Sequence, residues 1–156
     1  MLKKYKEHVD ERAKLNIPPL PLDADQTSQL VELLKSEHDE SEFLLSLFKE
    51  RIPAGVDQAA YVKAAFLADI TEGNTSSPYI KKTDAVGMLG TMLGGYNIQP
   101  LIECLKNDEL ADDAVGALSK TLLIFDAFNE VFELSKTNKY AEQVIKNWAD
   151  AKWFTD

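Results

Sequence analysis

The chain has 156 residues, 17 basic against 26 acidic, for a formal net charge of −9, and 45% of its residues are apolar. This is a globular composition rather than a disordered or collagen-like one, and a chain of this length buries about 68–70% of its unfolded surface, enough for one core in one domain without covalent staples. The acid excess argues against a phosphate-binding surface, the single cysteine excludes an internal disulfide, no apolar run approaches the ~18–20 residues of a membrane span, and residues 1–8 lack the apolar stretch of a secretory signal.

Taken in chain order, the pattern predicts helices throughout. Residues 2–15 carry sparse apolar positions at Leu2, Tyr5, Val9 and Leu15, which suits an amphipathic helix on the surface of a larger body. Ile17-Pro18-Pro19-Leu20-Pro21-Leu22 stops it, because proline removes donors and forces extended backbone. Pro18 and Pro21 also fit a PxxP ligand, but an apolar strap along the body is the simpler reading. Asp23 opens a second helix with Gln26 as its capping-box partner and Thr27, Leu30, Val31 and Leu34 as its inner face. Residues 36–40 break it. A third helix places Phe43, Leu44, Leu47, Phe48 and Ile52 on one stripe and ends at Pro53-Ala54-Gly55. Asp57 caps a fourth, with Val56 positioned to staple onto Tyr61 and Gly73 where a left-handed C-cap belongs.

After the polar loop 73–78, Thr83 is expected to start a fifth helix with Ala85, Val86, Leu89, Met92 and Leu93 facing inward, ended by Gly94-Gly95. Asn97 is expected to cap a sixth, whose Ile98, Leu101, Ile102 and Leu105 form a stripe. From residue 110 to about 134 the pattern stays helical, and Leu122-Leu123-Ile124-Phe125 is apolar all round, as in a helix buried on several faces. Asn138 then precedes a last helix carrying Tyr140, Val144, Trp148 and Ala151. Period-two alternation is absent, so no strand is expected. Helix pairs starting near Asp23, Asp57 and Asn97 recur every ~35–40 residues, a spacing typical of helical repeats. The expected architecture is all-α, an irregular α-solenoid of stacked antiparallel pairs.

A catalytic constellation is not legible. His8 and His38 both sit in charged, exposed contexts, and the loop Glu37-His38-Asp39-Glu40 reads as solvated rather than as a metal site. Cys104, beside Ile102 and Leu105, reads as a small half-buried hydrophobe rather than a nucleophile. Neither GxSxG, SxxK, GxGxxG nor a P-loop is present. Gly87 and Gly90, three apart in a helix, suggest close helix approach on that face, since each costs about 1 kcal/mol against Ala. Gly94-Gly95 before Asn97 offers amides that an anion would accept, but a tight corner between packed helices suits the acidic chain better. Trp148, Trp153 and Phe154 crowd large aromatics into a terminus that is ordinarily polar, so the tail is expected to pack on something and the chain to continue into a longer protein.

These residues resemble a known family. Met1-Leu2, Tyr5, His8-Val9 and Glu11-Arg12-Ala13 are similar to the N-terminus of bacterial aconitase B, as are Pro21-Leu22-Asp23-Ala24 and Leu30-Val31-Glu32-Leu33-Leu34-Lys35. More specific are Gly55-Val56-Asp57, Ala59-Ala60-Tyr61-Val62-Lys63-Ala64, Leu89-Gly90-Thr91-Met92, and Gly94-Gly95-Tyr96-Asn97-Ile98 followed by Pro100-Leu101-Ile102. Ala117-Leu118-Ser119, Thr121-Leu122-Leu123, Phe125-Asp126 and the closing Trp148-Ala149-Asp150-Ala151 with Trp153-Phe154 extend the resemblance over the whole chain. Residues 36–42 and 79–82 depart from the pattern. The resemblance implies a HEAT-like helical domain that precedes the aconitase domains and helps shape the substrate's route to the active site. It also implies a parent hydro-lyase of the tricarboxylic acid cycle that interconverts citrate and isocitrate through cis-aconitate on a [4Fe–4S] cluster, with members acting on 2-methylisocitrate. The cluster ligands and substrate-binding residues of that family lie beyond Asp156, so no catalytic, cofactor or metal residue is carried onto this chain, and Cys104 is not a cluster ligand.

The leading expectation is therefore a non-catalytic, cytoplasmic interaction and access module whose partners are the remaining aconitase domains of the same chain and a second copy in a homodimer, with no membrane or nucleic-acid partner of its own. The alternative is a free-standing helical adaptor that binds a protein partner. The candidate contact surfaces are the first helix, the corner Gly94-Gly95-Tyr96-Asn97, and the end containing Trp148, Trp153 and Phe154.

Overall fold

The computed structural model describes residues 1–121 and 126–151, and the described residues form helices and connecting turns without a strand. α1 (Leu2–Lys14) lies on the surface and buries Tyr5. Its strap is held by polar contacts more than by apolar ones. The Tyr5 hydroxyl donates to the Leu20 carbonyl at 2.8 Å, the Arg12 Nε donates to the Pro18 carbonyl at 2.6 Å, and Leu22 N donates to the Arg51 carbonyl at 2.7 Å. Leu22 is fully buried, whereas Leu15, Ile17 and Leu20 are exposed, so only one residue of the strap and its approach inserts deeply.

α2 (Ala24–Leu34) starts at the anticipated capping box. Asp23 Oδ1 accepts from Gln26 N at 2.7 Å, and Gln26 Oε1 accepts from Asp23 N at 3.1 Å. α3 (Ser41–Glu50) buries Leu44, Leu47 and Phe48. α4 (Gln58–Glu72) is capped by Asp57, whose carboxylate accepts from Ala59 N at 2.8 Å, and ends at Gly73 in the left-handed region with φ 85°. The staple anticipated between Val56 and Tyr61 does not form. Val56 is 74% exposed, and Tyr61 turns instead to the ring of Tyr96, 5.3 Å away in a T-shaped pair.

α5 (Lys82–Gly90) begins one residue earlier than anticipated, with the Asp84 carboxylate accepting from Lys81 N at 3.0 Å. It also ends earlier than the Gly94-Gly95 pair. The Leu89 carbonyl, which Leu93 N would claim in a continued helix, accepts from Met92 N at 3.1 Å and from the Asn97 side chain at 2.8 Å. Leu93, anticipated to face inward, is consequently 68% exposed. α6 (Ile98–Cys104) and α7 (Ala111–Leu118) follow.

The single long helix anticipated over residues 110–134 is interrupted. The Leu118 carbonyl, which residue 122 would claim in a continued helix, accepts from Thr121 N at 2.9 Å and from the Trp148 indole N–H at 2.9 Å. Helix resumes as α8 (Asp126–Ser135), and the apolar run 122–125 lies outside the described residues. α9 (Lys139–Ala149) is capped as anticipated by Asn138, whose Oδ1 accepts from Tyr140 N and Ala141 N at 2.9 and 3.0 Å.

Packing follows chain order. α2 lies against α3 and α4, α4 against α5, α5 against α6 and α7, and α9 against α7 and α8. Every substantial helix pairing joins elements no more than two places apart. One hydrophobic cluster runs through these layers from Tyr5 to Trp148. Among the described residues, no buried side-chain nitrogen or oxygen lacks a hydrogen-bond partner.

Candidate functional site

Two of three glycines with positive φ meet where the α3–α4 and α5–α6 connections cross. Gly55, Gly94 and Gly95 have φ of 84°, 95° and 97°, and a Cβ placed on Gly94 would lie 2.3 Å from the Gly55 carbonyl carbon and oxygen. Only glycine permits this approach of backbone to backbone. The Tyr96 hydroxyl then donates to the Val56 carbonyl at 3.2 Å, tying the corner to the start of α4. Asn97 is 1% exposed and does not cap α6 as anticipated. Its Nδ2 points backward and donates to the carbonyls of Leu89 and Met92 at 2.8 and 3.2 Å, closing the end of α5. The corner is thus a packed joint, with Gly94, Gly95 and the edge of Tyr96 at the surface and Asn97 beneath them. A cleft of about 450 Å³ adjoins it, walled by Thr91, Leu93, Ile98 and Lys120.

The glycine pair earlier in α5 divides. A Cβ on Gly90 would approach the Ala117 Cβ to 2.8 Å, so α5 and α7 meet closely there. A Cβ on Gly87 would meet nothing within 4 Å and would face open space, contrary to the expectation that both glycines line a helix contact.

At the other end, Trp148 is only 7% exposed. Its indole N–H closes α7 and its ring stacks on Phe128 with centroids 5.9 Å apart, so the residue anchors α9 to α7 and α8 and its side chain is not open to a partner. Trp153 and Phe154 lie outside the described residues. On the first helix, the Lys6 ammonium pairs with Glu40 and sits 5.1 Å from the centroid of the Phe43 ring.

The two histidines and the cysteine are taken up by the fold. Both histidines are half-buried rather than exposed. His8 Nε2 accepts from Leu20 N at 3.0 Å, and His38 Nδ1 accepts from Glu40 N at 3.0 Å. Each therefore fixes a loop. Cys104 is buried, and burial pushes its thiol pKa up. A neutral buried thiol is a poor nucleophile and a poor metal ligand. Among the described residues, no three His, Cys, Asp or Glu side chains converge as metal ligands. An iron–sulfur cluster is held by several cysteine thiolates, and a chain with one cysteine does not fit that requirement. No helix among the described residues is long and apolar enough to cross a membrane.

Two features escaped the sequence reading. Lys49 of α3 and Lys63 of α4 share a cleft of about 540 Å³ with Tyr79, Thr83 and Asp84. The Lys63 ammonium stands 5.1 Å from the Phe48 ring centroid, and burial lowers its pKa. No spacing signal links two lysines on different helices. On α8, Phe128 and Phe132 are stacked with centroids 6.3 Å apart and remain 45% and 46% exposed. Their i, i+4 spacing was legible, but a continuous helix over residues 110–134 gave no reason to look for an exposed face there.

Residues 4–154 match the family described as the Aconitate B N-terminal domain. The chain is 55% identical to aconitate hydratase B of Synechocystis sp. and 54% identical to that of Escherichia coli, over 99% of its own length in each case. It is 41% identical to aconitate hydratase B of Helicobacter pylori over 98% of its length. The chain spans only 18% of the length of each of these relatives.

Proposed function

Because the chain belongs to the aconitase B N-terminal domain family, we propose that it is the non-catalytic helical domain at the front of an aconitase B, packing on the catalytic domains of the same polypeptide. In this reading it shapes the substrate's route to the active site and contributes to self-association, through a surface that includes Gly94, Gly95, Tyr96 and the end bearing Trp153 and Phe154. The observation that carries it is the identity of 55% over 99% of this chain against 18% of the relative, so most of the relative's length has no counterpart here.

The parent would be a cytoplasmic hydro-lyase interconverting citrate and isocitrate through cis-aconitate, with its [4Fe–4S] ligands beyond residue 156. This domain would turn nothing over by itself. That the substantial pairings among the described helices join elements no more than two places apart supports a HEAT-like stack, because repeat units touch mainly their neighbours. An antibody against residues 1–156 tests the reading on lysate of the source cells. A band several-fold heavier than the 17.4 kDa chain, co-fractionating with aconitase activity, is the expected result. A band at 17.4 kDa, free of that activity, would leave a stand-alone helical adaptor as the better account.

A further inference from the structure

We infer that the Phe128–Phe132 face of α8 is the seat on which the polypeptide beyond residue 156 docks; the inference rests on the reading of this chain as the front domain of a longer one. The face begins in the core. The buried Trp148 ring stacks on Phe128 at 5.9 Å, and Phe128 stacks on Phe132 at 6.3 Å with the rings 12° from parallel. Three rings thus run from the last turns of α9 outward along α8 and stop in solvent, with nearly half of each phenylalanine uncovered.

The rim of this face is already satisfied. Glu133 pairs with Lys136 at 2.6 Å, the Lys136 ammonium stands 5.4 Å from the Phe132 ring centroid, and Glu130 accepts from Gln99 Nε2 at 3.0 Å. An apolar centre with a satisfied polar rim is the anatomy of an interface.

The occupant is argued from where the chain leaves. Ala151 is three residues past Trp148, so its Cα lies within roughly 10 Å of the Trp148 Cα by contour length, and the polypeptide beyond residue 156 begins within about a further 20 Å, in reach of the ring stack. The relatives continue far beyond that point, since this chain covers 18% of their length. Two half-exposed rings offer far less than the ~800 Å² per partner of a stable free complex. A tethered segment needs no such area, because linkage raises its effective concentration to about the millimolar range. The patch is the right size for the continuing chain and too small for an untethered partner.

The test uses the complete polypeptide, with Phe132 replaced by the photoreactive p-benzoylphenylalanine, which keeps the phenylalanine ring and extends it outward by a benzoyl group. Irradiation is expected to yield an adduct at monomer mass whose cross-linked peptide maps beyond residue 156. Adducts confined to residues 1–156, adducts at dimer mass, adducts to another protein, or none at all would each overturn the assignment. As a second measure, Phe132→Cys in the complete polypeptide should react with a soluble thiol reagent at least tenfold more slowly than Leu15→Cys, although Leu15 and Phe132 are 68% and 46% exposed in this chain. Comparable rates would overturn it as well. If the native polypeptide proves to end near residue 156, the front-domain reading fails and this one with it. A long polypeptide that gives no such adduct sinks the docking face alone.

Discussion

At the corner between α5 and α6 the chain is held backbone against backbone, whereas at the α8–α9 end it is held by side chains. Gly94 presses on Gly55 so closely that no Cβ fits, and the buried Asn97 amide closes the preceding helix. At the other end, one indole stacks on Phe128 and closes α7, and the ring stack continues into solvent. The difference separates two kinds of sensitivity. A backbone joint tolerates no added atom, while a side-chain joint tolerates change at its exposed rim and fails when its anchor is removed.

The largest effect should come from the anchor. Trp148→Ala removes a buried ring and the donor to Leu118, and should destabilise the chain by about 3–5 kcal/mol in urea unfolding. A loss below about 1 kcal/mol would mean that α9 is held by something other than its tryptophan. Next is Gly94→Ala, which should cost roughly 3 kcal/mol because the added methyl meets backbone rather than a flexible side chain. Gly95→Ala, with a similar φ but no atom within 4 Å of its Cβ, carries only the backbone strain of about 1–2 kcal/mol. Equal losses at the two glycines would show that strain, not contact with Gly55, sets the cost.

Within α5 the same comparison sharpens. Gly90→Leu should destabilise by about 1–3 kcal/mol by overpacking against Ala117. Gly87→Ala, facing open space, should stabilise by up to about 1 kcal/mol through helix propensity. Thermal melts of the two variants should therefore move in opposite directions, and a common direction would refute the assignment of the α5–α7 contact to Gly90 alone. The mildest loss is expected at the exposed end of the ring stack, where Phe132→Ser gives up the stacking on Phe128 and should cost the 156-residue chain about 0.5–1.5 kcal/mol. A larger loss would place Phe132 in this chain's own core rather than on a face awaiting cover.

Much of the helical plan was legible because its signals are local. The capping box at Asp23 and Gln26, the cap at Asp57, the left-handed Gly73 and the Asn138 cap each depend on residues within a few positions of one another. The errors share a different cause. The end of α5 is decided by Asn97, eight residues beyond Leu89, and the end of α7 by Trp148, thirty residues beyond Leu118. Periodicity carries no information about a side chain that arrives from elsewhere and takes a carbonyl. For the same reason the Tyr61–Tyr96 pair displaced a local staple, and the Lys49–Lys63 cleft left no mark in the sequence.

By itself the amino-acid sequence determined the all-helical class, most helix starts and the resemblance to aconitase B, since propensity, capping and motif spacing are short-range properties. Tertiary structure alone decided where two helices stop, which glycine lies at a helix contact and which aromatics stay in solvent. Those outcomes depend on groups far apart in the chain competing for the same carbonyl or the same few ångströms of space.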